Sequence, residues 1–243
     1  MTDRTLIRLT GTDARDFLQG LVTNDITKAA QGLVYAALLT PQGKFIADFF
    51  GHDTGDGLLI DVATTHAPTL AQRLTMYRLR ADVQIEESPL IVSRGTGTPP
   101  EGALQDPRHP DMGWRLYGDT DLSDDTDWDA LRVAHVIPET GIELTPDTYI
   151  LEAGFERLNG IDFRKGCYVG QEIAARMKHK TELKKGLVQV AITGTASVGT
   201  DITANGKAAG TLYTQSGNHA LAHLRFDRAT DDMQADSAVL RRS

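Results

Sequence analysis

The residue best able to do chemistry in this sequence is Cys167, the only cysteine of the chain. It lies between two glycines and directly follows the basic pair Arg164 and Lys165. Nearby positive charge stabilises a thiolate, and the N-terminus of a helix, which we predict to begin after Gly170, acts in the same direction. We therefore predict a basic, glycine-bounded loop that carries a thiol and leads into a helix.

A lone cysteine also has a purely structural interpretation, as a small hydrophobic residue buried in the core. It cannot form a disulfide within the chain, because there is no second cysteine. A metal site that used it would need His, Asp or Glu as further ligands. We expect no permanent metal, and both interpretations of Cys167 stay open at this point.

Composition and charge restrict the classes of protein to which the chain can belong. The 243 residues are 40% hydrophobic, as in an ordinary soluble protein, and suffice for two or more lobes. No apolar run approaches the roughly 20 residues that span a bilayer, and the N-terminus lacks the pattern of a signal peptide. The net charge of −8 argues against general nucleic-acid binding. With a single cysteine, these features predict a cytoplasmic protein without membrane or nucleic-acid partners.

One segment runs against the acidic average. Residues 164–185 contain seven basic residues against only Glu172 and Glu182, a local net charge of +5. Such a segment beside the thiol favours an anionic ligand or an acidic partner. The alternative is a solvated helix face, on which Glu172 and Arg176 pair four residues apart.

The elements that must position these residues follow from hydrophobic spacing and turn residues. Alternating or apolar runs predict strands over 5–9, 33–39, 44–50, 58–62, 83–86, 90–93 and 114–117. Helical spacing predicts helices over 14–18, 66–79 and 128–135, with Thr12 and Asp127 as N-caps of the first and third. Short alternating runs over 187–192, 207–213 and 219–226 predict a small β-barrel or sandwich.

This irregular mixture of strands and helices predicts an α+β fold rather than a doubly wound sheet. We place a first region at 1–183, formed by two interwoven lobes with an inner boundary near 95–111. The change of texture predicts a separate small C-terminal β-barrel domain over 184–243.

Three stretches, 11–26, 35–50 and 131–176, together resemble one superfamily over nearly the whole chain. The first two resemble the N-terminal half of the glycine-cleavage T-protein, a tetrahydrofolate-dependent aminomethyltransferase. The third contains Lys-Gly-Cys-Tyr-Val-Gly-Gln-Glu over 165–172 and resembles the YgfZ-type branch, folate-binding proteins that assist the maturation of iron–sulfur enzymes. The resemblance implies a multi-lobed ring around a folate channel, with ferredoxin-like N-terminal lobes and a small C-terminal β-barrel.

The resemblance also implies roles for particular residues. Tyr35 and Asp48 match a tyrosine and an acidic residue of the T-protein pattern, and the acid would contact the pterin and serve methylene transfer. Arg132 matches an arginine that could hold the carboxylates of folate. From the residues alone, Asp48 could instead face outward on an edge strand, and Arg132 could be a surface arginine on a helix.

Within the cysteine loop, Lys165 and Arg176 would support a thiolate or an anionic ligand. The glycines Gly166 and Gly170 would permit the backbone turn. Packing and hydrogen bonds that fix the loop would come from three further residues, Tyr168, Gln171 and Glu172.

Three functions remain open at this stage. The leading hypothesis is a tetrahydrofolate-binding factor that uses Cys167 to assist maturation or repair of [4Fe–4S] enzymes, with iron–sulfur client or scaffold proteins as partners. The alternative is a folate-dependent aminomethyltransferase that acts on an amine donor through Asp48. A third possibility is a folate-binding scaffold that performs no chemistry.

Overall fold

The computed structural model describes residues 3–180 and 182–242, without the side chain of Lys180. Helices and strands mix irregularly along the chain, which confirms the predicted α+β class. The described residues form two compact units. We call residues 3–126 and 155–175 the N-terminal unit, and residues 127–154 and 176–242 the barrel unit.

The N-terminal unit is built on a five-stranded sheet in the order β2-β3-β4-β1-β5, with every neighbouring pair antiparallel. Its strands are β1 (Arg4–Thr10), β2 (Val34–Leu39), β3 (Phe45–Asp53), β4 (Leu58–Ala63) and β5 (Gln84–Ser88). The helices that accompany them are α1 (Ala14–Gln19), the 3-10 helix Ile26–Ala30 and α2 (Ala67–Arg78). These bounds confirm the strands and helices predicted over the first 90 residues.

The core of this unit explains its sequence pattern. All six residues of β2 and all six of β4 are buried, so these strands read as continuous apolar runs rather than as alternating ones. Leu18 from α1 and Leu70 and Leu74 from α2 join Ile7 and Leu9 of β1 in one hydrophobic cluster. Helical spacing on one side and strand residues on the other therefore bury a common core.

A second, three-stranded sheet completes the N-terminal unit. It has the order β6-β8-β7, formed by β6 (Ile91–Gly95), β7 (Leu104–Gln105) and β8 (Trp114–Gly118). The 3-10 helix Pro110–Met112 lies between β7 and β8 along the chain.

The two predicted helix caps have different outcomes. The side chain of Asp127 accepts a hydrogen bond from the backbone nitrogen of Ala130 at 3.0 Å, which confirms it as the N-cap of α3 (Trp128–His135). The prediction for Thr12 is wrong. Its hydroxyl donates to Asp82 at 2.9 Å, because the loop before β5 supplies a stronger, charged acceptor.

The barrel unit contains a closed barrel in the order β10-β11-β12-β9-β14-β13. The strands are β9 (Lys185–Thr193), β10 (Asp201–Ala204), β11 (Lys207–Ser216), β12 (His219–Arg225), β13 (Met233–Ala235) and β14 (Ala238–Arg242). The barrel prediction is confirmed, although β10, β13 and β14 were not predicted because they are too short for a clear alternation. Many interior residues are alanines, since a six-stranded barrel has room only for small side chains.

Helix α3 packs on β11 and β12, so the segment 127–154 belongs with the barrel in one unit. The sequence-based division at 183/184 stays a prediction. The predicted boundary region near 180–185 includes Thr181, which lies outside the described residues. Helix α4 (Gln171–Lys180) begins where the sequence predicted, directly after the cysteine loop. No helix in the described part of the chain combines the length and the apolar character that a membrane span requires.

Candidate functional site

The N-terminal unit contains a cavity of about 480 Å³, within the usual range for small-molecule sites. Its polar and charged lining residues are Asn24, Lys28, Glu156, Asn159, Asp162 and Arg164. Its apolar and aromatic lining residues are Leu33, Val34, Tyr35, Pro107, Ile161 and Phe163. This combination of an apolar body with a few polar groups suits a flat organic ligand that carries charge.

Tyr35 and Asp48, which the sequence singled out together, are hydrogen-bonded. The Tyr35 hydroxyl donates to Asp48 Oδ2 at 2.9 Å, and the two residues are only 0% and 4% exposed. Burial, with the Asp48 charge adding to it, raises the pKa of Tyr35 well above its ordinary value, so the phenol remains a neutral donor. Because β3 lies between β2 and β4, the alternative of Asp48 facing outward on an edge strand is wrong.

The Tyr35 ring is fixed by aromatic neighbours. Its centroid lies 5.0 Å from that of Phe155 in a stacked arrangement and 5.2 Å from that of Phe50. Such contacts hold a ring in one rotamer and stabilise the pair beyond simple area burial. Tyr35 therefore has a fixed position beside the cavity, with Asp48 bonded to its hydroxyl.

Next to this pair lies a chain of buried charges that the sequence analysis missed. It alternates in sign as Arg4, Asp61, Arg115, Asp106 and Arg108. The closest N–O distances between successive members are 2.5, 2.7, 3.2 and 2.8 Å. Burial raises the pKa of each aspartate, but the adjacent arginines outweigh it, so both carboxyls have a pKa below the ordinary value.

The charge chain surrounds an aromatic ring and stiffens one wall of the cavity. The guanidinium carbons of Arg108 and Arg115 lie 4.8 and 3.8 Å from the Phe50 centroid. Asp106 accepts from the Arg108 backbone nitrogen at 3.0 Å, and Asn159 donates to the Pro107 carbonyl at 2.8 Å. The Pro107 wall is therefore held from both sides.

One signal in the sequence could have exposed this chain. Asp61 interrupts the otherwise apolar run of β4, where all six residues are buried. A charged residue in such a run requires a buried partner. The partners are separated from it by more than 50 residues along the chain, so no local spacing could have identified them.

Lys165 anchors the cysteine loop to the same unit. Its ammonium group donates to the carbonyl oxygens of Gln19, Val22 and Asn24 at 2.6, 2.5 and 3.1 Å. Three donors thus meet three acceptors. Burial lowers the pKa of Lys165 to about 8, although Asp25 opposes that shift. Its predicted role in supporting a thiolate or an anionic ligand stays a prediction.

The anchor and the cavity share a wall. Asn24, whose carbonyl accepts from Lys165, lines the cavity and donates to the backbone oxygens of Tyr35 and Asn159 at 2.8 and 2.7 Å. Asp162 also lines the cavity, and it accepts from Lys28 Nζ at 2.6 Å. The segment 159–164 therefore forms part of the cavity and continues directly into the cysteine loop.

The thiol itself is accessible. Cys167 is exposed, so the alternative of a buried small hydrophobic residue is wrong. The next residue, Tyr168, is only 7% exposed, and burial raises its pKa to about 12. The loop thus presents Cys167 to solvent while Tyr168 fixes it to the protein.

The two glycines of the loop differ. Gly170 has φ +84°, and a Cβ there would lie 2.7 Å from the Thr40 carbonyl oxygen, so only glycine fits without strain. At Gly166 a Cβ would meet nothing within 4 Å, and its φ lies outside the left-handed region. The backbone requirement predicted for both glycines therefore applies to Gly170 and not to Gly166.

Gln171 and Glu172 begin α4, and Arg176 lies further along the same helix. Gln171 is half-buried, whereas Glu172 and Arg176 are exposed. Arg176 belongs to the barrel unit, unlike Cys167. The predicted roles of these three residues stay predictions.

Arg132 lies in the barrel unit and is fully buried, so the alternative of a surface arginine is wrong. It donates to Glu143 Oε2 at 3.0 Å and to Thr214 Oγ1 at 2.8 Å. Further bonds lead to the Ile137 carbonyl and to Asp129, at 3.2 and 3.1 Å. The structure thus supplies protein acceptors for this guanidinium, and its predicted binding of folate carboxylates stays a prediction.

Comparison with known proteins places this geometry in a family. Residues 184–243 match the family model described as the CAF17 C-terminal beta-barrel domain. The chain is also similar to the crystal structure of glycine cleavage system aminomethyltransferase T from Bartonella henselae. That similarity has a TM-score of 0.78 with 12% sequence identity, over 99% of this chain and 83% of that one. The T-protein-like fold predicted from the sequence is therefore confirmed.

Two curated relatives extend the similarity to most of the sequence. One is "Iron-sulfur cluster assembly factor IBA57, mitochondrial" from Mus musculus, 32% identical over 92% of this chain and 76% of its own length. The Homo sapiens protein of the same name is 31% identical over 91% of this chain and 75% of its own length.

These names overturn the predicted cytoplasmic location, since both relatives are mitochondrial proteins. A low cysteine count reflects a reducing environment, which does not distinguish the cytoplasm from other reducing compartments.

Sequence identities of 32% and 31% over 92% and 91% of this chain are higher than a shared fold alone requires. The chain belongs to the family of iron–sulfur cluster assembly factors that includes the mouse and human IBA57 proteins.

Proposed function

We propose that this chain is a tetrahydrofolate-binding factor of the YgfZ type that assists maturation or repair of [4Fe–4S] enzymes, with the thiol of Cys167 as its reactive group. One observation carries the proposal. The Lys165 anchor joins the exposed cysteine loop to residues 19–24, and Asn24 of that segment lines the cavity. A ligand in the cavity and the thiol on the loop would therefore be held by the same segment of the chain.

The cavity residues fit a reduced folate. The pterin ring would lie against the Phe163 side, where the amide of Asn159 and the carboxylate of Asp162 offer hydrogen-bonding partners. Lys28 and Arg164 would meet the carboxylates of the glutamate tail. A bound tetrahydrofolate would carry a one-carbon unit.

Cys167 would handle iron or sulfur as substrate. An exposed thiol can ligate a cluster in transit, and thiolates are the usual protein ligands of such clusters. Residues 165–170 hold the thiol in place, because Lys165 and Tyr168 are fixed and Gly170 sets the turn. The clients would be iron–sulfur enzymes or the scaffold proteins that load them.

The folate part of the proposal is tested by calorimetric binding of 5-formyltetrahydrofolate. We expect Lys28→Glu to weaken binding roughly 10- to 100-fold, since a charge-assisted hydrogen bond contributes about 1.5–3 kcal/mol. Arg73→Glu, an equal charge reversal at an exposed position of α2, is the matched control and should bind as the unsubstituted chain does. Undiminished binding by both Lys28→Glu and Arg164→Glu would place any folate site elsewhere.

The thiol part is tested in cells that lack this protein. Activity of a [4Fe–4S] enzyme should fall, and the unsubstituted chain should restore it whereas Cys167→Ala should not. Full restoration by Cys167→Ala would refute the thiol role while leaving folate binding standing. No fall in activity would refute the maturation role altogether.

The buried Tyr35–Asp48 hydrogen bond favours a second candidate, folate-dependent aminomethyl transfer from an amine donor. This candidate requires Asp48 for chemistry and leaves Cys167 dispensable. Production of methylene-tetrahydrofolate from an aminomethyl donor, lost in Asp48→Asn and kept in Cys167→Ala, would support it. In the cellular assay, loss of [4Fe–4S] enzyme activity with Cys167→Ala and its restoration by Asp48→Asn would support the maturation role.

A further inference from the structure

Among residues 3–180 and 182–242, the edge strand β5 has a strand partner on one side only and leaves part of its backbone unpaired. It is the last strand in the order β2-β3-β4-β1-β5 and pairs through its full length with β1. In an antiparallel pair, alternate residues direct their N–H and C=O groups away from the neighbour. Gln84, Glu86 and Glu87 are exposed along this edge. An edge of this kind is a template for one additional strand.

A cleft of about 360 Å³ lies beside the same edge. Its apolar surface comes from Ile7, Ile85 and three small residues of α2, Ala67, Pro68 and Ala71. Small side chains at these helix positions leave a space between α2 and the outer strands. Recognition by strand addition combines a free edge with pockets that accept alternate side chains, and β5 has both.

The register fixes which side chains face this cleft. Residues directly opposite in neighbouring strands share a face, and Ile85 lies opposite Leu9 while Glu87 lies opposite Ile7. Since Ile7 and Leu9 belong to the core beneath α2, Ile85 and Glu87 face the cleft. Glu86 faces the other side of the sheet.

The charge along the edge is negative on both faces. Glu87 is on the cleft side. On the opposite face Glu86 lies across from Arg8, which is already paired with Asp56. This charge opposes pairing of β5 with a second copy of itself, because the same acids would then meet. It favours a partner segment with lysine or arginine.

We propose that β5 docks an extended, basic segment of a partner protein, which adds to the sheet as a sixth strand. An apolar residue of that segment lies opposite Ile85 and enters the cleft. Basic residues lie opposite Glu86 and Glu87. This surface is separate from the cavity and from Cys167, and the proposal stands whether or not the chain binds folate.

The test uses the capped peptide Thr-Val-Lys-Lys-Val-Thr with ¹⁵N-labelled full-length protein. We expect amide shift changes concentrated at 84–88, and amide exchange there slowed at least about tenfold at saturation. The charge reversal Glu86→Lys with Glu87→Lys should weaken binding at least about tenfold, whereas Glu101→Lys with Asp119→Lys should not. Ala71→Leu, which fills the cleft, should also weaken binding while the circular dichroism spectrum stays unchanged.

Three results would overturn the proposal. The first is an equal response to Thr-Val-Glu-Glu-Val-Thr, and the second is no change at 84–88 with millimolar lysine peptide. The third is that Glu86→Gln with Glu87→Gln self-associates in sedimentation while the unsubstituted chain does not bind the lysine peptide. In that case the acids serve to protect an exposed edge from aggregation.

Discussion

Both units bury arginine–carboxylate clusters, but they place them in different surroundings. In the N-terminal unit, five alternating charges run from Arg4 to Arg108 through the aromatic centre, next to the cavity. In the barrel unit, Arg132 and Glu143 form a compact cluster with Thr214, whereas buried residues of the barrel strands form an apolar cluster. The first cluster stiffens a cavity wall, whereas the second ties α3 to β11.

The two units therefore differ in how much buried charge they contain. Burying charges costs free energy that pairing only partly restores, so an apolar interior usually gives a more stable unit. The barrel follows that rule almost throughout. The N-terminal unit departs from it around Tyr35, Asp48 and Phe50, beside the cavity. Substitutions in the barrel should therefore change stability alone, and those in the charge chain should change stability and ligand binding.

The strongest expected effect comes from Arg115→Met. It leaves Asp61 and Asp106 buried without their shared partner, and removing one member of a buried ion pair costs about 3–5 kcal/mol. Urea denaturation measures the free energy of unfolding. Arg225→Met, in an ion pair with both side chains about half exposed, is the control and should lose less than about 1 kcal/mol. Similar losses for the two variants would contradict the comparison.

A core truncation in the barrel tests the expectation that substitutions there change stability alone. Leu212 is fully buried, and Leu212→Ala should lower the free energy of unfolding by about 2–5 kcal/mol. Because Leu212 belongs to the hydrophobic core of the barrel, we expect unchanged affinity for 5-formyltetrahydrofolate at a temperature where the variant is folded. A marked loss of affinity would show that the barrel interior influences the ligand site.

The two loop glycines provide a matched pair. Gly170→Ala places a Cβ against the Thr40 carbonyl at positive φ and should cost about 1–3 kcal/mol. Gly166→Ala enters open space and should change stability by less than about 1 kcal/mol in either direction. Thermal melting of both variants measures the difference, and equal melting temperatures would refute the assignment of the turn to Gly170.

The effect of Lys165 on stability depends on pH. Its pKa is about 8 in the folded chain against 10.5 for an ordinary lysine, so the unfolded state binds more protons between those values. Stability therefore rises with pH in this window, and the cost of the buried charge is fully present below about pH 8. The unfolding free energy of the unsubstituted chain, relative to Lys165→Met, should increase between about pH 8 and pH 10.5. A flat or falling difference in urea midpoints would contradict this.

The same Lys165→Met variant reports on the loop. Loss of three donors to the carbonyls of residues 19–24 should speed amide exchange over 165–170 at about pH 7. Unchanged exchange would mean that Tyr168 alone holds the loop.

Local patterns were sufficient for most of the fold. The apolar runs of β2 and β4 and the helical spacing of Leu70 and Leu74 each depend on residues close in sequence, and all were predicted correctly. The cap at Thr12 failed because its acceptor, Asp82, is 70 residues away. The three short barrel strands failed because pairing with neighbours, rather than their own few residues, makes them strands.

The residues of the candidate site also fall into two groups, those recognisable from the local sequence and those that only the folded structure reveals. The eight residues from Lys165 to Glu172 were recognisable because glycine, cysteine and basic residues stand together in the chain. The prediction for Tyr35 and Asp48 named both partners, and their mutual hydrogen bond became visible only in the sheet. Asp61 stood out as a charge within an apolar run, but Asp106, Arg108 and Arg115 carried no local signal, since each is an ordinary charged residue until folding buries it.

Patterns along the chain were enough to predict the α+β class, the small barrel and the glycine-bounded thiol loop, and similarity to known factors shows the family. The three-dimensional arrangement was needed to show that Lys165 anchors the loop, that Cys167 is exposed and that a charge chain supports the cavity wall. The physical reason is range. Hydrophobic periodicity and turn chemistry act between near neighbours, whereas burial and ion pairing depend on residues that the chain brings together only when it folds.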